Sequence, residues 1–213
     1  MRQYAPETLY PKTKRLSGTQ ILDYAKSPSD FYIKWIAGFG IKRGVALEVG
    51  VAFGELYADR SFDYVTYLKD RKTPARLIQL VVDVMRYFPP AQNPEYEMIV
   101  PHRGWEVRVT LDDFYPDQAT IVEHKTSALM WTQEVVDNHT QVTMQQWAYW
   151  KLHGKVLKKH YLHWVDTGTH PRKAVETFIS KRSVAQLKEF EREVLDRVID
   201  GLEAENFINN IYK

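Results

Sequence analysis

Hydrophobic and polar positions change rhythm twice along this chain. From Ser17 to about Phe88 the apolar residues recur at helical spacing. Ser17 suits an N-cap for a helix carrying Ile21, Leu22 and Tyr24, and Ser27-Pro28 starts another with Phe31, Tyr32 and Trp35. After a loop at Gly38–Gly44, Val45, Val49, Ala52, Phe53 and Leu56 form one stripe. Leu77, Leu80, Val81, Val84 and Met85 form a second, opened by Pro74 and ended by Pro89-Pro90. The period then drops to two. Tyr96–Val100, Trp105–Phe114 and Thr120–Lys125 read as strands, the last two joined by a Tyr-Pro-Asp-Gln turn. Thr140–His153 returns to helix with Gly154 as its C-cap. Val156–Val165 and Val175–Ile179 are further strands, and Ser183–Phe207 is an amphipathic helix with Leu187, Phe190, Val194, Val198 and Leu202 inward.

This order predicts an α/β (α+β) fold: a central mixed β-sheet flanked by helices, with a helical N-terminal part. The expected divisions are an extended arm over 1–16, a mostly helical part over 17–90, a sheet and helix over 95–180, and a closing helix over 183–207. A chain of 213 residues fits one domain with a sizeable core, spanning 1–213. No apolar run is long enough to cross a membrane, and MRQYAPETLYPKTKR has no secretory pattern. Cysteine is absent, which excludes disulfides, thiolate zinc sites and iron–sulfur clusters and fits a cytoplasmic location. The net charge is only +2, but residues 1–43 carry an excess of five positive charges and 151–182 an excess of six. Those segments are either a phosphate-binding face or scattered solvated lysines.

The chemistry concentrates where two of the strands end. In the hairpin turning near 116–118, position 112 falls opposite 122–124, so Asp112 and Glu123 approach each other with Lys125 just beyond. Two nearby carboxylates repel, and a hard divalent cation relieves that repulsion. A neighbouring lysine can orient water or offset phosphoryl charge. Asp113 competes with Asp112 for the role, according to strand parity. A structural Glu123–Lys125 ion pair is the plain alternative.

Flanking residues bear on that choice. Leu16, Ser17, Tyr24, Pro28, Phe31 and Tyr32 resemble the "Leu-Ser-x-Ser-x-Leu-x-x-Tyr-x-x-Cys-Pro-x-x-Phe-Tyr" signature of RecB-type nucleases, with Ser27 in the cysteine place. VTLDDF followed by TIVEHKTS is similar to their "Gly-x-Ile-Asp … Val-Asp-Tyr-Lys-Thr" core, and Gln145–Tyr149 to their Gln-x-x-x-Tyr helix. In family order over residues 16–149, these elements resemble the RecB-like, lambda-exonuclease-like group of the PD-(D/E)xK nuclease superfamily, including phage and mobile-element enzymes. The resemblance implies a restriction-endonuclease-like core and a metal-dependent DNA nuclease, with an exonuclease expected, acting in DNA processing, recombination or replication. It also implies Asp112 and Glu123 as ligands for Mg²⁺ or Mn²⁺, Lys125 as the catalytic lysine, and Gln145 and Tyr149 as helix partners at the site. DNA would be the partner, with no membrane, and a recombination or replication protein a second one; oligomeric state is left open.

Departures are specific. In the early helix the family pattern Gly-x-x-x-His meets Gly50 and then Gly54, with no histidine. Glu55 either replaces it as a ligand or is an ordinary exposed residue. Thr110 stands where the family has glycine before its aspartate. A nuclease-fold protein that binds nucleic acid or scaffolds a partner without catalysis is the second reading. His124 should point to the opposite face as core or surface filler, and Trp131 or Tyr32 could stack on bases. Residues 127–139 would be either a loop over substrate or a plain connection.

Overall fold

The computed structural model describes residues 14–36, 44–168 and 174–211, with side chains as far as Ala204. Most of the expected N-terminal arm and of the Gly38–Gly44 loop lies outside them. The elements are β1 (Arg15–Ser17), α1 (Gly18–Lys26), α2 (Pro28–Phe31, continued as a π-helical turn to Ile36), α3 (Val45–Ala58), α4 (Tyr64–Asp70) and α5 (Ala75–Met85). There follow β2 (Pro94–His102), β3 (Trp105–Tyr115), β4 (Thr120–Ser127), α6 (Gln133–Asp137), α7 (Thr140–His153), β5 (Lys159–Asp166) and β6 (Val175–Ser180). Helix α8 (Val184–Phe190), a π-helical stretch (Glu191–Asp196) and α9 (Arg197–Ile211) close the chain.

Local chemistry sets these boundaries. Ser17 accepts from the backbone N–H of Gln20 while the Gln20 side chain accepts from the Ser17 N–H, a reciprocal capping box that starts α1. Ser183 and Gln186 do the same for α8. Gly154 ends α7 at φ +67°, the left-handed conformation that glycine adopts without strain. The β3–β4 connection is a short 3₁₀ turn at Pro116–Gln118, with Ala119 left-handed at φ +48°.

Six strands form one mixed sheet in the order β1-β3-β4-β5-β6, with β2 also pairing β3. β2 and β4 run antiparallel to β3, β1 runs parallel to it, β5 is parallel to β4, and β6 antiparallel to β5. One face packs on α1, α7, α8 and α9 through Leu16, Ile21, Val107, Val109, Leu111, Ile121, Trp147 and Leu202. A second core joins α3, α4 and α5 to β5 through Phe53, Leu68, Val81 and Val165. Val45, expected to begin the α3 stripe, is exposed instead because it sits in the first turn, before the helix reaches the core. The C-terminal helix also departs from its expected stripe. The π-helical stretch inserts extra residues, so Leu195 is fully buried where Val194 was expected and Val194 only packs at the margin.

α9 lies close enough to α1 that a methyl group on Gly201 would meet the Tyr24 ring, within 3.0 Å of Cζ. We expect Gly201→Ala to lower stability by about 1–3 kcal/mol through overpacking, measured by urea unfolding. Unchanged stability would show that this contact can relax.

Candidate active site

A strand has two hydrogen-bonding edges, and three strands compete for those of β3. β2 takes one edge from Trp105 to Asp113. β1 and β4 divide the other: β1 pairs Glu106–Arg108, and β4 pairs Asp113–Tyr115. Residues 109–112 pair with neither, and the gap opens into a cavity of about 420 Å³. Val109, Thr110 and Asp112 form its floor, Ser17–Thr19, Leu22 and Asp23 one wall, and Glu123–Thr126 the other. Gly50, Phe53 and Gly54 of α3 and Gln141 and Met144 of α7 complete it.

β3 carries a dislocation at this place. Leu111 and Phe114 both enter the α7-side core although they are an odd three positions apart, so strict alternation slips between them. Asp112 and Glu95 drop out of the β2–β3 ladder, and Glu95 takes φ +51°. The freed Asp112 carboxylate turns toward β4, where Oδ2 accepts the backbone N–H of His124 at 2.7 Å.

Glu123 is buried and heavily bonded. Its Oε1 accepts from Lys125 Nζ at 2.5 Å and from Gln141 Nε2 at 2.7 Å, and its Oε2 accepts from Gln145 Nε2 at 2.7 Å. Gln141 Oε1 accepts a second Lys125 proton at 2.8 Å. A carboxylate offers about four lone-pair positions, so three are occupied and one on Oε2 stays open. Asp112 keeps Oδ1 open. The pair can therefore offer a hard cation one oxygen each without breaking a bond, which suits Mg²⁺ or Mn²⁺ with water in the remaining positions. Among the described residues no group of three His, Cys, Asp or Glu side chains is arranged to hold a metal.

The electrostatics follow from burial and proximity. Burial, then the Glu123 charge, raises the Asp112 carboxyl from 3.8 to about 7, against the lowering effect of Lys125. Burial would lower the Lys125 ammonium, but Glu123 and Asp112 outweigh it and hold the group above its ordinary value.

Asp113 plays a different part. Fully buried, it accepts from Tyr57 Oη at 3.0 Å, Asn93 N at 2.7 Å, Phe114 N at 2.9 Å and Gln92 N at 3.1 Å. It ties α3 and the loop before β2 to the sheet, and Asp112 is the aspartate at the cavity.

Two expected site residues are elsewhere. Glu55 is exposed and outside the cavity, because the helical turn that aims Gly54 inward carries the next residue about 100° round α3. A Cβ at Gly54 would meet nothing within 4 Å, so this position leaves cavity space unfilled. Gly50 is tight instead: its Cβ would lie 2.9 Å from Thr126 Oγ1, which lets α3 approach β4. Tyr149 shares the helix stripe of Gln145, yet it lies in the core with its ring 6.0 Å from Phe114 and 4.4 Å from His153. α7 runs back along β4 toward the hairpin turn, so the stripe reaches the cavity at Gln141, two turns before Tyr149. Gln141 was the residue missed. Its signal was the i, i+4, i+8 series Gln141, Gln145, Tyr149.

His124 faces away as expected, packed among Phe53, Tyr57, Phe88 and His163. Burial holds it well below the usual histidine range, which makes it a neutral ring. Trp131 is half-buried against His139, and Tyr32 packs edge-on to Phe31. Residues 127–139 contain the short helix α6. Of the basic segment 151–182, Lys158 and Lys159 join Ala119 at the hairpin end of β4, the opposite end of that strand from Lys125.

No protein-family model and no curated protein sequence matches the chain. Solved structures do. A candidate exonuclease from Eubacterium rectale is 16% identical with a TM-score of 0.65, over 96% of this chain and 88% of that one. A phage-related exonuclease from Haemophilus somnus 129PT is 12% identical with a TM-score of 0.50, over 88% and 82%. The chain has the restriction-endonuclease-like fold that its resemblance to the PD-(D/E)xK nucleases implied.

The two adjacent aspartates should respond oppositely to substitution. Asp112 holds its proton more tightly folded than unfolded, so its contribution to stability falls as pH rises from about 4 to about 7. In metal-free buffer above that range, Asp112→Asn is expected to stabilise the protein by about 1 kcal/mol. Asp113→Ala orphans several buried donors and should cost about 2–4 kcal/mol. Urea unfolding with a chelator present checks both, and a loss of stability in Asp112→Asn would contradict the assigned electrostatics.

Proposed function

We propose that the protein is a divalent-cation-dependent deoxyribonuclease, acting as an exonuclease, with Asp112, Glu123 and Lys125 at its centre. One observation carries this reading: two carboxylates and an ammonium from two strands converge on a single cavity at the unpaired edge of β3. The exonuclease-type neighbours support it at the level of fold. Asp112 and Glu123 would hold Mg²⁺ or Mn²⁺. Such an ion supplies charge stabilisation at a phosphoryl oxygen and acidity at a coordinated water. Lys125, kept charged by its carboxylate neighbours, donates to the attacking water or to the phosphoryl oxygens as negative charge builds. Gln145 holds Glu123 through Oε2 and so fixes the orientation of its carboxylate.

The site belongs to a protein acting on DNA in processing, recombination or replication, whether in a phage-infected or an uninfected cytoplasm, either as a stand-alone nuclease or with a partner protein supplying specificity. No helix among the described residues is long and apolar enough to cross a membrane. A non-catalytic nucleic-acid-binding role is the second reading, motivated by the empty position at Gly54.

Purified protein with Mn²⁺ should degrade linear DNA, and blocked 5′ or 3′ ends should define polarity while circular substrates remain intact. Lys125→Ala and Glu123→Gln should each lower the rate by about 10³-fold or more. No cleavage by the wild type, or equal cleavage by Lys125→Ala, would overturn the enzyme reading. Gly54→His places an imidazole in open cavity space and should tighten Mn²⁺ binding by about 10-fold or more, read by calorimetry. Unchanged affinity would show that this position does not face the ion.

A further inference from the structure

We propose that Gln141 is a positioning residue that aims Lys125 at the reacting phosphate, an inference that rests on the nuclease reading above. Gln141 Oε1 accepts from Lys125 Nζ at 2.8 Å while Gln141 Nε2 donates to Glu123 Oε1 at 2.7 Å. Lys125 itself donates to that same Oε1 at 2.5 Å, which closes a three-membered ring of hydrogen bonds. The amide orientation in this ring is decided by chemistry. An ammonium can only donate and a carboxylate can only accept, so the carbonyl must face Lys125 and the NH₂ must face Glu123.

The ring addresses a mechanical problem. A lysine ammonium is a point charge on a flexible four-carbon stem with about 2 kcal/mol of rotamer entropy, and one partner does not fix its direction. Glu123 is also an unreliable sole partner, because a cation held between it and Asp112 draws on the same carboxylate charge. The neutral Gln141 carbonyl keeps its hold through that change. Its position in the first turn of α7 supplies a rigid support independent of β4. Gln145 does not share the task, since it bonds Glu123 Oε2 and the Thr110 carbonyl and has no bond to Lys125.

The test uses Gln141→Met, which keeps the volume and removes both hydrogen bonds, with Gln141→Ala as a second variant. Both are half-exposed substitutions whose folding is checked by thermal melting. We expect kcat to fall about 10- to 100-fold while KM for DNA stays within about 2-fold. The melting shift on adding Mg²⁺ should match that of the wild type, because the open oxygens of Asp112 and Glu123 are untouched. Unchanged kcat, a rise in KM alone, or loss of the Mg²⁺ shift would each overturn the assignment. A second readout does not depend on cleavage. Acetylation of Lys125 by acetic anhydride, in which the deprotonated amine attacks and acetate leaves, is followed by peptide mass. It should run about 5-fold or more faster in Gln141→Met, because the variant lacks the carbonyl that holds one Lys125 proton and the side chain in place. Equal rates would overturn this inference even if the wild type proved inactive, whereas inactivity alone would fall on the nuclease reading.

Discussion

The site exists because one edge of β3 is shared by two strands that do not meet. β1 leaves it after Arg108 and β4 joins it only at Asp113, so four residues in the middle of the sheet have an open side. Inside a sheet such a gap normally costs unpaired backbone groups. Here side chains fill the need: Asp112 accepts the His124 N–H that the ladder would otherwise have engaged, and Gln145 reaches the Thr110 carbonyl. The defect in pairing and the collection of charge are the same feature.

Charge at the fork is held in balance by unequal means. Burial, and then the Glu123 charge, lifts the Asp112 carboxyl to about 7, while Lys125 and two glutamines satisfy Glu123. One residue further on, Asp113 has the same functional group in the opposite circumstance, buried with donors on every side. Adjacent identical residues thus serve tension and cohesion respectively. The close approach of α3, made possible at Gly50, adds Gly50, Phe53 and Gly54 to the cavity lining.

Much of this was legible in the residues. Alternation in Trp105–Phe114 and Thr120–Lys125 and the turn between them fix the hairpin register, and that register brings the Asp112–Asp113 pair to the stretch of β4 that carries Glu123 and Lys125. Ser17 as an N-cap and Gly154 as a C-cap marked the start of α1 and the end of α7. What escaped depends on relations that periodicity does not encode. The choice between Asp112 and Asp113 hangs on a slip in alternation that is visible only against β2. The direction in which α7 crosses β4 decides that Gln141 rather than Tyr149 reaches the cavity. The rotation of α3 decides that Gly54 faces inward and Glu55 outward. A π-helical insertion moved the buried position from Val194 to Leu195.

The central claim is that Asp112 and Glu123 form a cation site at this fork. Anomalous diffraction from crystals soaked in Mn²⁺ tests it most directly. The account predicts a peak between Asp112 Oδ1 and Glu123 Oε2, within about 2.0–2.3 Å of each, with Lys125 still bonded to Gln141. No peak there, or an ion bound elsewhere with Lys125 and Glu123 unchanged, would contradict it.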